Sequence, residues 1–247
     1  MRDSVTESIQ VRPRFAKDLS HKLNVSEDTV RRDLREMDAK GLILRVHGGA
    51  FPVNSMSLLF SDRQEESLEQ KRLLARTGKE LIKQGKVILI DGSTTNLQLA
   101  KEIPLDLHAT IITNSPVICV ELSNHPNLDI MMLGGKFLKD SLVNIGTTVI
   151  DTLVDIKADL CFLGTYSLHP EFGISVPNFE ESLVKKQMIR SSRKVAILLT
   201  TNKLNTISNY SVGSLSDLDY LIVEDGVPQS TINQYEQWDI EIIHVAI

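Results

Sequence analysis

Hydrophobic positions recur along this chain with two different periods, and the change of period separates a small helical beginning from a long alternating body. In the first fifty residues the spacing is helical. Phe15, Leu19 and Leu23 stand four apart in RFAKDLSHKL, and Val30, Leu34 and Met37 fall on one stripe of NVSEDTVRRDLREMDAKG. Asn24-Val25-Ser26 leaves only a tight connection between them, so the pattern predicts a helix-turn-helix. Ser26 reads as the cap of the second helix, Val25 as a staple packing on Val30, and Gly41 as its left-handed stop. Leu42 to Val46 then reads as a strand, and His47-Gly48-Gly49 as a turn that folds it back through Ala50 and Phe51 as a small wing. Ahead of Phe15 only Asp3 to Val11 is available for a first helix, with Val5 and Ile9 its sole apolar pair, which suggests a clipped start or else a domain that relies on its neighbour for stability.

Beyond Pro52 the stretch NSMSLLFS is non-periodic and reads as a linker. A helix is expected from near Asp62, carrying Leu74, Thr77, Leu81 and Ile82 on one side and stopping at Gly85. From there apolar runs of strand length alternate with helical stretches: VILI, ATIIT, LDIMML, DLCFL, VAILL, YLIV and IEIIHVA. Such alternation predicts a mainly parallel sheet covered on both faces, with ligands at the carboxyl ends of its strands. The predicted division is residues 1–53, a linker over 54–63, and a larger α/β unit over 64–247.

Charge sharpens the division. The whole chain carries −5, against general affinity for nucleic acid, yet residues 1–50 hold ten Lys and Arg against eight Asp and Glu. On the second helix Arg31, Arg32 and Arg35 point away from the apolar stripe, together with Asp28. Guanidinium forks suit phosphate oxygens and guanine edges, so this face reads as a DNA recognition surface. The blander reading is a solvated face with the arginines paired to Asp33, Glu36 or Asp38.

At the strand ends lie the groups that suit an anionic ligand. Asp91-Gly92-Ser93-Thr94-Thr95 follows VILI and opens a helix, offering backbone N–H groups, a helix dipole and hydroxyls, although a plain Ser or Thr cap reads the same way. Thr113-Asn114-Ser115, Gly134-Gly135-Lys136 and Gly164-Thr165 occupy the ends of the next strands, and Tyr166 is placed to narrow a pocket there or to pack. Cys119 and Cys161 sit in apolar runs without metal spacing, which implies two buried thiols in a reducing compartment, no metal and no disulfide framework. The start has no signal-peptide core, and no apolar run approaches the ~20 residues of a membrane span, so the expected place is the cytoplasm.

VSEDTVRRDL followed by GLILRVHGGA resembles the signature of the DeoR/GlpR family of bacterial transcriptional regulators. The body, from about Glu65 onward, is similar to that family's effector domain, itself related to ribose-phosphate isomerase and coenzyme A transferase folds. The resemblance implies a winged helix-turn-helix DNA-binding domain followed by an effector-sensing and oligomerisation domain. It implies DNA contacts from Ser26, Asp28, Thr29, Arg31, Arg32 and Arg35 on the helix and from Arg45, His47, Gly48 and Gly49 on the wing. For the effector it implies Asp91, Gly92, Ser93, Thr94, Thr95, Asn114, Ser115, Gly134, Gly135, Lys136 and Gly146, with Glu181, Lys185 and Lys203 from later segments. The expected function is a repressor of carbohydrate genes that binds double-stranded operator DNA as a homo-oligomer and answers to a phosphorylated sugar, with no cofactor and no membrane partner.

Three departures from the family bear on the ligand: Thr200 where an Asp is common, Thr165-Tyr166-Ser167 where small residues are usual, and the order of Gly92 and Ser93. A sugar-phosphate isomerase needs a positioned base and a stabiliser for its enediolate. Only Asp91 and Glu181 offer themselves as carboxylates, and no GxxxxGK[ST], GxGxxG or GxSxG is present. Catalysis and a plain interaction scaffold are the alternatives, separated from sensing by turnover and by whether any phosphorylated metabolite raises the melting temperature.

Overall fold

The computed structural model describes residues 14–39, 43–46, 49–52 and 59–246. The expected helix over Asp3–Val11, the stop at Gly41, the turn residues His47 and Gly48, and residues 54–58 of the expected linker lie outside the described residues, while the rest of that linker enters a helix at Phe60.

The N-terminal unit runs β1 (Arg14–Phe15), α1 (Ala16–Leu23), α2 (Glu27–Ala39), β2 (Ile43–Val46) and β3 (Gly49–Pro52). Asn24 adopts the left-handed conformation (φ 53°), which Asn tolerates better than most residues, and the Val25 N–H closes the turn on the Ser20 carbonyl at 3.1 Å. Ala16, Leu19, Val30, Leu34, Met37, Ile43 and Ala50 form a core of their own. β3 pairs antiparallel with β2, making the expected wing, and also with β1. Phe15 therefore corrects the sequence reading. It belongs to a strand paired with Gly49, and α1 begins one residue later, with Ala16 joining Leu19 inside.

In the body, the expected helix from Asp62 to Gly85 is instead broken. α3 (Phe60–Glu65) and α4 (Leu68–Gly78) are separated at Ser67, whose φ is 52°, and a short 3-10 turn over Lys79–Leu81 follows. The buried Lys71 ammonium explains how the break is held, since it donates to the carbonyls of Arg63 and Glu66 at the end of α3. Gly85 lies beyond these helices in the turn before the first strand of the sheet.

All seven apolar runs form one parallel sheet: β4 (Val87–Ile90), β5 (Ala109–Thr113), β6 (Leu128–Met132), β9 (Leu160–Phe162), β12 (Val195–Leu199), β14 (Tyr220–Glu224) and β15 (Glu241–Val245). Their spatial order is β15-β14-β12-β9-β4-β5-β6. Strand alternation divides the core into two layers, with Leu89, Ile112, Ile197 and Val223 on one face and Ile88, Ile90, Ile111, Leu198 and Ile222 on the other. Helices α4, α5 (Thr94–Glu102) and α6 (Pro116–Leu122) contribute to the second layer. Helices α7 (Thr147–Val154), α8 (Phe179–Arg190) and α9 (Gln229–Glu236) contribute to the first. From β4 the chain proceeds outward through β5 and β6, then returns to β9 on the other side of β4 and continues through β12, β14 and β15. The sequence order thus reverses between β4 and β9, and a crevice opens at the carboxyl ends of these two strands. Two antiparallel pieces stand over it: a hairpin of β7 (Lys136–Leu138) and β8 (Val143–Ile145), and a small sheet of β10 (Ser167–His169), β11 (Gly173–Val176) and β13 (Tyr210–Gly213).

Candidate functional site

On α2, the Ser26 hydroxyl accepts from the Thr29 N–H at 3.1 Å and so caps the helix, while Val30, Leu34 and Met37 are buried beneath it. Asp28, Arg31, Arg32 and Arg35 are exposed together. Arg31 pairs with Glu27 at 3.1 Å, a partner different from the three acids considered from sequence, and Asp33, one of those three, is buried. An exposed i,i+4 pair contributes only about 0.3–0.5 kcal/mol, which leaves the guanidinium available for exchange onto a phosphate. Arg45 and Gly49 lie on the two strands of the wing hairpin.

The crevice at the β4–β9 reversal is an open recess of about 580 Å³ counting its mouth. Gly92 and Ser93 line it at the start of α5, and Gly164, Thr165 and Tyr166 line it beside them after β9. Leu138, Asp140 and Ser141 enter from the β7–β8 hairpin, Pro177, Asn178, Glu181 and Lys185 from α8 and its approach, and Arg63 from α3.

The walls are held by buried polar bonds. The Gly92 N–H donates to Asn114 Oδ1 at 2.9 Å, the Ser93 hydroxyl caps α5 by accepting from the Asn96 N–H at 3.0 Å, and the Asn96 amide ties the Asp91 and Phe162 carbonyls together. Two close approaches require glycine. A Cβ at Gly92 would lie 2.2 Å from Val143 Cγ1, and one at Gly164 would lie 2.9 Å from Asp91 Oδ2.

Behind the walls sits a cluster of buried charges. Lys185 donates to Asp91 Oδ2 and to the Gly164 carbonyl (2.9 Å), and stands 3.2 Å from Glu181 Oε1. Asp91 Oδ2 also accepts from the Gly164 N–H at 2.8 Å, and Ser141 donates to Glu181 at 3.1 Å. Burial pushes the Asp91 carboxyl up and the Lys185 charge pulls against it. For Lys185 burial pulls down, but Asp91 and Glu181 outweigh it and hold the ammonium above the ordinary lysine value. Lys203 donates to the Thr165 carbonyl at 3.0 Å. Burial, with repulsion from Arg63, Lys71 and Lys185, brings Lys203 down to about 7, and burial brings Lys71 to about 8. Four cations thus crowd around the recess, facing Asp91, Glu181 and Glu66. An anion placed among them relieves their mutual repulsion, while Glu181, Asp140, Asn178 and Ser141 offer partners for hydroxyl groups.

Of the residues singled out from sequence, Gly92, Ser93, Glu181 and Lys185 line the recess, and Asp91, Asn114 and Lys203 lie directly behind it, bonded to lining residues. Thr94 and Thr95 are buried in the first turn of α5, and Ser115 caps α6. Gly134 and Gly135 precede β7, Lys136 pairs with Glu180 at 2.6 Å, and Gly146, with φ 99°, precedes α7. None of those seven is among the residues lining the recess. The sequence reading passed over Arg63, Asp140, Ser141 and Asn178. Asn178 carried a signal, since Asn three residues before Glu181 suits a helix cap, and its side chain does accept from the Glu181 N–H at 3.0 Å. Among the described residues no group of three His, Cys, Asp or Glu is placed to hold a metal ion, and no described helix is long and apolar enough to cross a membrane.

A two-part chain of this kind, a winged reader followed by a parallel α/β body with a cationic recess at its strand reversal, matches known families over both parts. The DeoR-like helix-turn-helix domain matches residues 16–55, and the DeoR C-terminal sensor domain matches residues 66–225. The chain belongs to the DeoR family of transcriptional regulators. It is similar to the HTH-type transcriptional regulator GlpR of Haloferax volcanii, 31% identical over 232 residues covering 93% of this chain and 91% of that protein. It is also similar to the HTH-type transcriptional repressor GlcR of Bacillus subtilis, 30% identical over 223 residues covering 90% and 86%. Among solved structures, ribose 5-phosphate isomerase A from Methanocaldococcus jannaschii is similar with a TM-score of 0.39 at 12% identity, covering 53% of this chain and 52% of that one.

Proposed function

We propose that this protein is a sequence-specific repressor of carbohydrate-use genes, released from its operator by a phosphorylated sugar bound in the recess between β4 and β9. The observation that carries the reading is the meeting in one recess of a helix start, Gly92-Ser93, with the cations Arg63 and Lys185 and with Glu181, Asp140 and Asn178. Backbone N–H groups, a helix dipole and a guanidinium suit a phosphate, and carboxylates and amides suit sugar hydroxyls. Arg31, Arg32 and Arg35 read the duplex, with the wing on the backbone. Because helix-turn-helix readers address paired half-sites, the working form is a homo-oligomer in the cytoplasm. Ligand binding favours an arrangement of readers that no longer matches those half-sites.

The recess binds without turnover. Asp91 is buried behind the wall, outside the lining of the recess, and the two oxygens of Glu181 face Lys185 and Ser141, so neither carboxylate is placed as a base. The test is to select binding sites from random DNA with the purified full chain, then titrate the complex with matched phosphorylated and unphosphorylated sugars. Release by at least one phosphorylated sugar and by none of its unphosphorylated counterparts is expected. Release by the unphosphorylated members alone, or conversion of any sugar phosphate to its isomer, overturns the reading.

A further inference from the structure

The residues around the recess come from two kinds of place. All but one lie at strand ends, on the β7–β8 hairpin or on α8 and its approach. The exception is Arg63, carried by α3, the first described helix after the DNA reader. Helix α3 is fastened to the recess a second time, since the Phe60 N–H donates at 2.7 Å to the carbonyl of Asp140, itself a lining residue. It is not fastened to its successor as one rod. Ser67 in the left-handed region turns the chain between α3 and α4, and the α3 end is closed by the Lys71 ammonium rather than by further helical bonds.

We infer that Arg63 grips the anionic group of the ligand and that α3, moved by this grip, is the element through which occupancy of the recess reaches the DNA reader. The inference rests on the anionic-effector reading above and adds the route of its regulation. Its physical basis is a difference between two states of charge. Without an anion, buried Arg63 faces the acidic groups of Glu181, Glu66 and Asp140, and at the same time repels Lys71 and, together with Lys71 and Lys185, Lys203. With an anion between them the repulsion becomes shared attraction, and of the four cations only Arg63 and Lys71 sit on or against α3. A ligand that binds one position of α3 better than another shifts the population of that position by its differential affinity, and no contact between ligand and DNA is needed. The short helix is turned off from α4 at Ser67, bonded to the recess at Phe60 and lines it with Arg63, so it meets the ligand site without being one rod with its successor.

Amide hydrogen exchange on the full chain tests this, with inorganic phosphate as the probe and sodium chloride at matched ionic strength as the control. Exchange in the peptide spanning 60–66 is expected to slow by roughly tenfold, the scale of one charge-assisted contact, together with the loops at 92–96 and 164–166. In Arg63→Gln the slowing in 60–66 is expected to vanish while the loops still respond at higher phosphate, and Arg63→Lys is expected to restore part of it. Slowing in the loops without any change in 60–66 in the wild type overturns the inference and leaves the anion site standing. Slowing in 60–66 that survives in Arg63→Gln also overturns it. No slowing anywhere defeats the anion site itself, and the inference with it.

Discussion

The ammonium of Lys185 donates to the carboxylate of Asp91, a residue 94 positions earlier in the chain, and both side chains are almost entirely shielded from solvent. Their pairing joins α8 to the loop after β4 and thereby sets the width of the recess. Removing one partner leaves the other as an unpaired buried charge, which typically costs about 3–5 kcal/mol. Lys185→Met is therefore expected to lower stability on that scale in urea titration, and Asp91→Asn combined with it to recover most of the loss. A double mutant no more stable than Lys185→Met would show that the pair does not act as a unit.

Lys203 and Lys71 make stability depend on pH in a defined direction. Both lie below the ordinary lysine value in the folded chain, at about 7 and about 8, so between those values and 10.5 the unfolded chain binds more protons. Stability is accordingly expected to rise as pH goes from 7 toward 10, and to flatten once the unfolded lysines also lose their protons. Lys203→Met should flatten the lower part of this rise in thermal melts collected across the range. Affinity for an anion should run the other way and strengthen as pH falls toward 7, because the recess then gains positive charge.

Gly164→Ala places a methyl group 2.8 Å from Ser93 Cβ and 2.9 Å from Asp91 Oδ2, in a wall that has no room to yield. Overpacking of this kind costs about 1–3 kcal/mol. The expected result is a folded protein with a lower melting temperature and an effector response displaced to higher concentration. A wild-type titration curve for Gly164→Ala would place the ligand away from this wall.

Ser93→Ala removes both a helix cap and a recess hydroxyl. Loss of the cap alone accounts for about 1 kcal/mol of stability, and loss of a charge-assisted hydrogen bond for about 1.5–3 kcal/mol of binding, or more than tenfold. Thr94→Val, by contrast, changes a side chain buried in α5 that does not line the recess, so its effect on the effector titration should be the smaller of the two. Reversal of that order in calorimetric titration would count against the assigned wall.

On the DNA side, Arg31, Arg32 and Arg35 replaced together by Ala should abolish operator binding while circular dichroism and oligomeric state stay unchanged, since all three are exposed. Single replacements should reduce the slope of log affinity against log salt by about one for each phosphate no longer neutralised. A folded triple variant with the wild-type salt slope would move the DNA-facing surface elsewhere.

Much of the sheet was legible because each strand is a short apolar run flanked on both faces by helices, and such runs stand out from their polar connections. The recognition helix was legible for the converse reason, with Val30, Leu34 and Met37 on one face and arginines on the other. Less was legible where structure depends on partners far away in sequence. Phe15 keeps the spacing of a helical stripe, yet its backbone pairs with Gly49, and no local pattern announces that bond. The break between α3 and α4 depends on Lys71 reaching back to two carbonyls, which an uninterrupted helical pattern conceals. The β7–β8 hairpin has strands of only three residues each, too short for a period to register. Of the recess, the loop after β4 could be read from its composition, whereas Arg63, Asp140 and Ser141 are ordinary surface residues until the fold brings them to the strand reversal.

The same reversal has a consequence for the order of synthesis. A ribosome delivers the DNA reader first, complete with its own core, and then β4, β5 and β6, which leave one edge of β4 unpaired until β9 emerges some seventy residues later. Until Lys185 follows, Asp91 has no counter-ion at all. A nascent or truncated chain ending before α8 would present the reader for DNA without the Asp91–Lys185 pair that ties the sensor recess together, so the reader is finished well before the recess is.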